Sequence, residues 1–244
     1  MQKRLVLILL TAVFIWGFLP LSGELDGNQL LKQSDEKMFP AVCSYSLSVE
    51  TVDEDGKIKN YVTKGYKKGA AKNVMIVEQP RRMAGTVHLR KEAVIWTYYT
   101  TNQKLMKIAY QSVFMGSLLN YGDVMALELS YDYEVIAKAE TETEYVLTLT
   151  PKEGHEGYAK VVLEIDKESL LPIKRSYYAL SGILLKQSEF KKIEFNGQHL
   201  TYMEQEFYEP LKDKKTVAVY SQIQLLKDVP DKYFNENYLK YLGG

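Results

Sequence analysis

Cys43-Ser44-Tyr45-Ser46-Leu47-Ser48-Val49-Glu50 alternates apolar and polar side chains without a break. Successive side chains on a strand point to opposite faces, so these eight residues read as a strand with one buried face. Upstream, residues 28–38 place Leu30, Leu31 and Met38 at helical spacing, and Pro40 stops that helix because proline blocks a further turn. Downstream, Asp53-Glu54-Asp55-Gly56 turns the chain into strand signals over 57–67, 72–78, 83–89 and 93–100, with Met106 and Ile108 on a sixth.

The alternation then stops. Residues 111–129 hold Phe114-Met115-Gly116, Leu118-Leu119 and Val124-Met125-Ala126-Leu127, a composition that suits a loop with one or two short helices. Strand signals resume at Tyr133 and continue through Tyr145–Leu149, Val161–Ile165, 174–180, 183–190, 191–195, 199–208 and Val217–Leu225. Asn196-Gly197 is a hairpin signal, because both central turn positions tolerate positive φ. A last helical turn is expected over Asp231–Phe234. About eleven strands with short turns and no βαβ spacing predict a mainly β chain with one antiparallel sheet. So large a sheet must close, split or be covered, and the helical stretches are the available covers. No linker or internal repeat divides the chain, so residues 24–244 read as one domain.

Residues 1–23 are a separate matter. Lys3-Arg4 precede an apolar run from Leu5 to Leu19, then Pro20 and Leu21-Ser22-Gly23. This is the pattern of an export signal cleaved near Gly23, since the run is shorter than the roughly 20 residues that span a bilayer. A retained anchor is the other reading. The residue after Gly23 is Glu24, and Cys43 lies too late to carry a lipid, so no lipid anchor is expected.

Composition excludes more than it selects. Thirty-one basic and 31 acidic residues balance, and a nucleic-acid binder would need a clustered basic excess. The leader holds two of those bases and no acid, so the remainder carries net −2. One cysteine forms no internal disulfide and reads as a buried thiol. His88, His155 and His199 lie on separate segments, so no metal centre or cofactor is expected. No nucleophile elbow or phosphate loop occurs, and the acidic runs 53–55 and 140–144 read as solvated edges, so no enzyme is expected. The 19 tyrosines suit a large half-exposed sheet. The apolar strand faces, under covers rich in methionine and leucine, read either as an ordinary capped core or as a deformable cavity beneath a movable lid.

Several local patterns occur in a particular order. They are Leu31–Pro40 at the helix-to-strand entry, Gly85-Thr86-Val87-His88-Leu89-Arg90, Trp96-Thr97-Tyr98, Met115-Gly116-Ser117 before Gly122-Asp123-Val124, Leu171-Pro172-Ile173-Lys174, Gly182–Lys186, and Val229–Phe234. Their order over residues 28–241 resembles the LolA/LolB-like superfamily and, within it, the outer membrane lipoprotein-sorting proteins. Leu118 and Tyr99-Thr100 depart from the pattern, which often has an acidic residue and a proline there.

The resemblance implies an incomplete antiparallel β-barrel with helices covering its concave face. It also implies carriage of lipid, or of lipoprotein acyl chains, through the periplasm between an inner-membrane transporter and an outer-membrane acceptor. The alternative within that superfamily is an interaction module, lipid-sensing or lipid-independent, that serves an export or signalling complex. With the resemblance included, the cavity reading outweighs the ordinary core. Strand parity then points Tyr45, Leu47, Met83, Val87, Trp96, Tyr98, Met106 and Ile108 inward as lipid-binding residues, with Phe114, Met115, Leu118, Leu119 and Met125 forming the lid.

Overall fold

The computed structural model describes residues 26–52, 55–210 and 214–243. The expected leader, 1–23, lies outside the described residues.

Helix α1 is Gly27–Met38, started by Asp26, whose carboxylate accepts from the Gln29 amide at 2.9 Å while the Gln29 side chain answers the Asp26 amide. The strands are β1 Val42–Val52, β2 Ile58–Lys68, β3 Lys72–Gln79, β4 Val87–Lys91, β5 Val94–Tyr99, β6 Lys104–Ile108, β7 Tyr133–Glu140, β8 Glu144–Pro151, β9 Lys160–Asp166, β10 Pro172–Tyr178, β11 Leu184–Asn196, β12 His199–Glu209 and β13 Lys214–Leu225. Two short helices, α2 (Tyr121–Met125) and α3 (Leu129–Asp132), sit between β6 and β7.

All thirteen strands form one sheet in the order β6-β5-β4-β3-β2-β1-β13-β12-β11-β10-β9-β8-β7. Each neighbouring pair is antiparallel. The sheet is two meanders joined at β1–β13, and it is not closed into a barrel: β6 and β7 are its two free edges. The mainly β, open antiparallel architecture is as expected, with thirteen strands where the sequence pattern predicts about eleven. One merger occurs: the stretches 183–190 and 191–195 are a single strand, β11, with a bulge between Phe190 and Lys192.

Register fixes which residues share a face. Leu47 pairs with Thr63 on β2 and Tyr220 on β13, and Tyr45 pairs with Gly65. Tyr45, Leu47, Val49, Met75, Leu147, Leu163, Phe207 and Tyr220 belong to one buried cluster on the concave side. A second cluster lies on the opposite face of β3–β5. There Val74, Val87 and Leu89 pack against Val229, Phe234 and Leu239 of the C-terminal segment, whose 3₁₀ turns cover 231–234 and 236–241. Both faces of β3–β5 are therefore covered.

Candidate functional site

Because β6 and β7 are opposite edges, residues 109–132 must carry the chain from one edge to the other, and they do so across the concave face. Phe114, Leu119, Tyr121, Val124, Met125, Ala126, Leu127 and Leu129 are buried in the concave cluster. Met115 and Gly116 turn the segment at positive φ, 51° and 74°. Asn120 caps α2: its Oδ1 accepts from the Asp123 amide (2.9 Å), and the Asp123 carboxylate accepts from the Asn120 amide (2.7 Å). Phe114 and Tyr121 meet the His88 ring edge-on, with centroids 5.7 and 5.2 Å away. Burial pushes His88 down to about 3, so it sits there as neutral imidazole.

The segment also carries Asp123, Glu128 and Asp132, and each meets a cation from the concave face of the sheet. Lys186 of β11 pairs with Asp123, the two side chains being 6% and 3% exposed, and also donates to the Leu118 carbonyl at 3.0 Å. Arg90 of β4 pairs with Asp132, which also takes His155 Nδ1 at 2.8 Å. Lys67 of β2 pairs with Glu128 at 2.5 Å and donates to the Pro40 carbonyl at 2.9 Å. The Tyr158 hydroxyl donates to Asp123 at 3.1 Å, and burial first, then the Asp123 charge, pushes that phenol far up. From α1, buried Asp35 accepts the Ser130 amide at 2.6 Å, and desolvation lifts its carboxyl to about 6. Charges removed from water are tolerated only when paired, so these contacts fix where the segment can lie.

Little space remains beneath it. Two voids of about 20 Å³ each adjoin Asp123, Ala126, Arg175 and Gln205. Each is room for about one water molecule and far too small for an acyl chain. A wider open groove of about 730 Å³ lies between α1 (Gln33, Lys37) and the Gly197 turn, with Leu171 and Phe195 in its lining.

A family model described as an uncharacterized protein matches residues 69–241, well over half of the chain. The chain belongs to that family. Its fold is similar to that of a LolA superfamily protein from Nitrosomonas europaea, at 22% identity and TM-score 0.77 over 88% of this chain and 100% of that one. A putative outer membrane lipoprotein-sorting protein domain from Vibrio parahaemolyticus matches at 19% identity and TM-score 0.73, over 88% and 98%. A DUF1329 family protein from Desulfovibrio piger matches at 23% and 0.73, over 87% and 97%. Among curated proteins, none matches the chain. At these identities the likeness establishes the fold: the chain has the LolA-type open sheet.

Within this LolA-like frame the residues singled out from sequence divide. Tyr45 and Leu47 lie in the concave cluster, as do Phe114, Leu119 and Met125, with Ile108, Met115 and Leu118 packed against it. Met106 shares the inward parity, being opposite Thr97, but edge strand β6 is left uncovered there and Met106 is 49% exposed. Val87, Trp96 and Tyr98 belong to the opposite face, packed in the C-terminal cluster. Met83 is in a 3₁₀ turn, Arg81–Met83, ahead of the strand expected to contain it. On β4 the inward residues are His88 and Arg90, which are polar, so the apolar parity pointed outward. Sequence reasoning missed Lys67, Arg90, Lys186 and their acidic partners. The one available signal was three carboxylates spaced through an otherwise apolar stretch, 119–132.

Proposed function

We propose that this protein is a non-enzymatic periplasmic carrier that takes lipid, or the acyl chains of lipoproteins, into its concave face and delivers them toward the outer membrane. One observation carries the reading. Among the described residues, the backbone-to-backbone hydrogen bonds of 109–132 stay within the crossing segment except at its β7 end, where the Tyr133 amide donates to the Leu129 carbonyl and the Lys152 amide to the Asp132 carbonyl (2.9 Å). It is tied to the sheet by side chains, such as the Thr216 hydroxyl that accepts from the Leu118 amide (3.1 Å) and the Asn73 amide that donates to the Met125 carbonyl (3.1 Å). It can therefore leave without unzipping a strand.

The energies are of similar size. Eight buried apolar side chains at about 1.5–3 kcal/mol each hold the segment down. An acyl chain of about fourteen carbons supplies about 10 kcal/mol at about 0.8 kcal/mol per methylene. One chain falls short of the roughly 12–24 kcal/mol that holds the lid, but two chains supply about 20 kcal/mol, so exchange of lid for a diacyl cargo is near balance, as reversible loading and delivery require. The filled cup also fits a lipid-independent interaction module, and Leu180 (94% exposed) and Ile183 (54%) at the β10–β11 turn give that reading an apolar tip.

Native mass spectrometry of protein purified from membrane-containing cells, followed by addition of phospholipid vesicles, separates the two. The carrier reading expects bound acyl lipid or uptake of added lipid. Empty protein that takes up none, yet retains a stoichiometric protein partner, would favour the interaction module.

A further inference from the structure

Lys67, Asn73 and Arg90 are cross-strand partners on β2, β3 and β4, a row that continues to Cys43 on β1. All three are buried, at 1%, 2% and 0% exposure. Each takes an acceptor from the crossing segment: the Glu128 carboxylate, the Met125 carbonyl and the Asp132 carboxylate, respectively. Across the cup, Lys186 does the same with Asp123 and the Leu118 carbonyl. Arg90 Nε is buried with no partner among the described residues, so the row has a donor to spare.

Lifting the segment removes every one of these acceptors at once. A neutral cargo would leave two cations and an amide side by side in an apolar cup, at the cost attached to unpaired buried charge. A cargo bearing negatively charged oxygens would supply acceptors and a counter-charge where the lid's carboxylates had been. Adjacent strands are about 4.8 Å apart, so the row spans about 10 Å at the backbone, which long Lys and Arg side chains can close around a phosphate-sized head.

We propose that the cargo is an anionic amphiphile whose phosphate-type head group is held by Lys67, Asn73 and Arg90, with Lys186 assisting, in the places that the carboxylates of 123–132 occupy when the cup is closed. The proposal rests on the carrier reading. It adds that the lid mimics the head group and that loading exchanges one set of acceptors for another.

The test offers delipidated full-length protein vesicles of equimolar dioleoyl phosphatidylglycerol and dioleoyl phosphatidylcholine, and counts each bound lipid by native mass spectrometry. Chains are identical and both heads carry a phosphodiester, but the choline of phosphatidylcholine would set a further cation beside Lys67 and Arg90, so only phosphatidylglycerol brings a net negative head. The expected result is at least tenfold more phosphatidylglycerol than phosphatidylcholine. The ratio should fall toward one in Lys67→Met/Glu128→Gln, which removes a cation and its lid partner together and leaves no buried charge unpaired. Should that variant fail to fold by circular dichroism, Lys186→Met/Asp123→Asn replaces it. Equal uptake of both lipids by the wild-type protein overturns the head-group assignment while leaving the carrier reading intact; uptake of neither overturns both. A third arm supplies inorganic phosphate alone. If millimolar phosphate deprotects the 120–132 amides to hydrogen exchange without lipid, the row is a free-anion site and the amphiphile assignment fails.

Discussion

Replacing Asp123 by asparagine tests what holds the cup closed. The carboxylate sits 3% exposed against Lys186, itself 6% exposed. An exposed ion pair contributes about 0–1 kcal/mol, but removing one member of a buried pair strands the other charge and costs about 3–5 kcal/mol. Asparagine preserves the shape and one acceptor for the Asn120 amide, so the loss is that of the charge. Because the segment is attached to the sheet by side chains, the deficit should appear as local opening before global unfolding. At about 1.4 kcal/mol per tenfold, protection of amides 119–126 against hydrogen exchange should fall by two to three orders of magnitude or more, while strand amides of β1, β12 and β13 keep theirs. Adding Lys186→Met should restore most of the protection, giving a coupling energy of at least about 2 kcal/mol in the double-mutant cycle. A single variant whose lid exchanges as slowly as wild type, with a change below about 1 kcal/mol, would refute the view that this pair latches the segment.

Other consequences are as direct. Burial raises the Asp35 carboxyl to about 6, so between about pH 4 and 6 the folded protein keeps a proton that the unfolded chain releases. Stability from this group is full below about pH 4 and is lost as pH rises through 6, about 3 kcal/mol in all. Asp35→Asn should therefore exceed wild type in urea unfolding at pH 7 and match it near pH 4; parallel pH profiles would contradict this. A Cβ on Gly122 would stand 1.7 Å from the Tyr110 ring, so Gly122→Ala should loosen the lid by about 1–3 kcal/mol and speed lipid uptake, and unchanged exchange at 120–126 would count against it. Leu239, fully buried on the far face, should cost about 2–5 kcal/mol as Leu239→Ala yet leave uptake per folded molecule at the wild-type level. Lost uptake with retained stability would place the C-terminal segment in the binding path.

The fold was legible because it rests on local pattern. Alternation over 43–50 gave β1 and its inward face, and the pause at 111–129 marked the segment that crosses the cup. Parity failed on β4 and β5 for a physical reason. Alternation marks the inside only where the other face is wet, and there Val87, Leu89 and Trp96 are covered by residues 229–242, so apolar no longer means inward. The polar partners on the concave side were hidden by distance in sequence: Lys186 lies 63 residues from Asp123, and Arg90 lies 42 from Asp132. No local rule pairs them, although carboxylates within a buried apolar stretch imply cations waiting elsewhere.

In the carrier reading, cargo enters only when the crossing segment moves. A disulfide between Leu118→Cys and Thr216→Cys, placed where the Leu118 amide meets the Thr216 side chain, ties the segment to β13, and the native thiol at Cys43 is buried and pushed up to about 11 by that burial, so it should not compete. Uptake of fluorescent phosphatidylglycerol should be abolished in the oxidised protein and restored by reductant. Equal uptake in both states would mean that lipid binds elsewhere or not by this route.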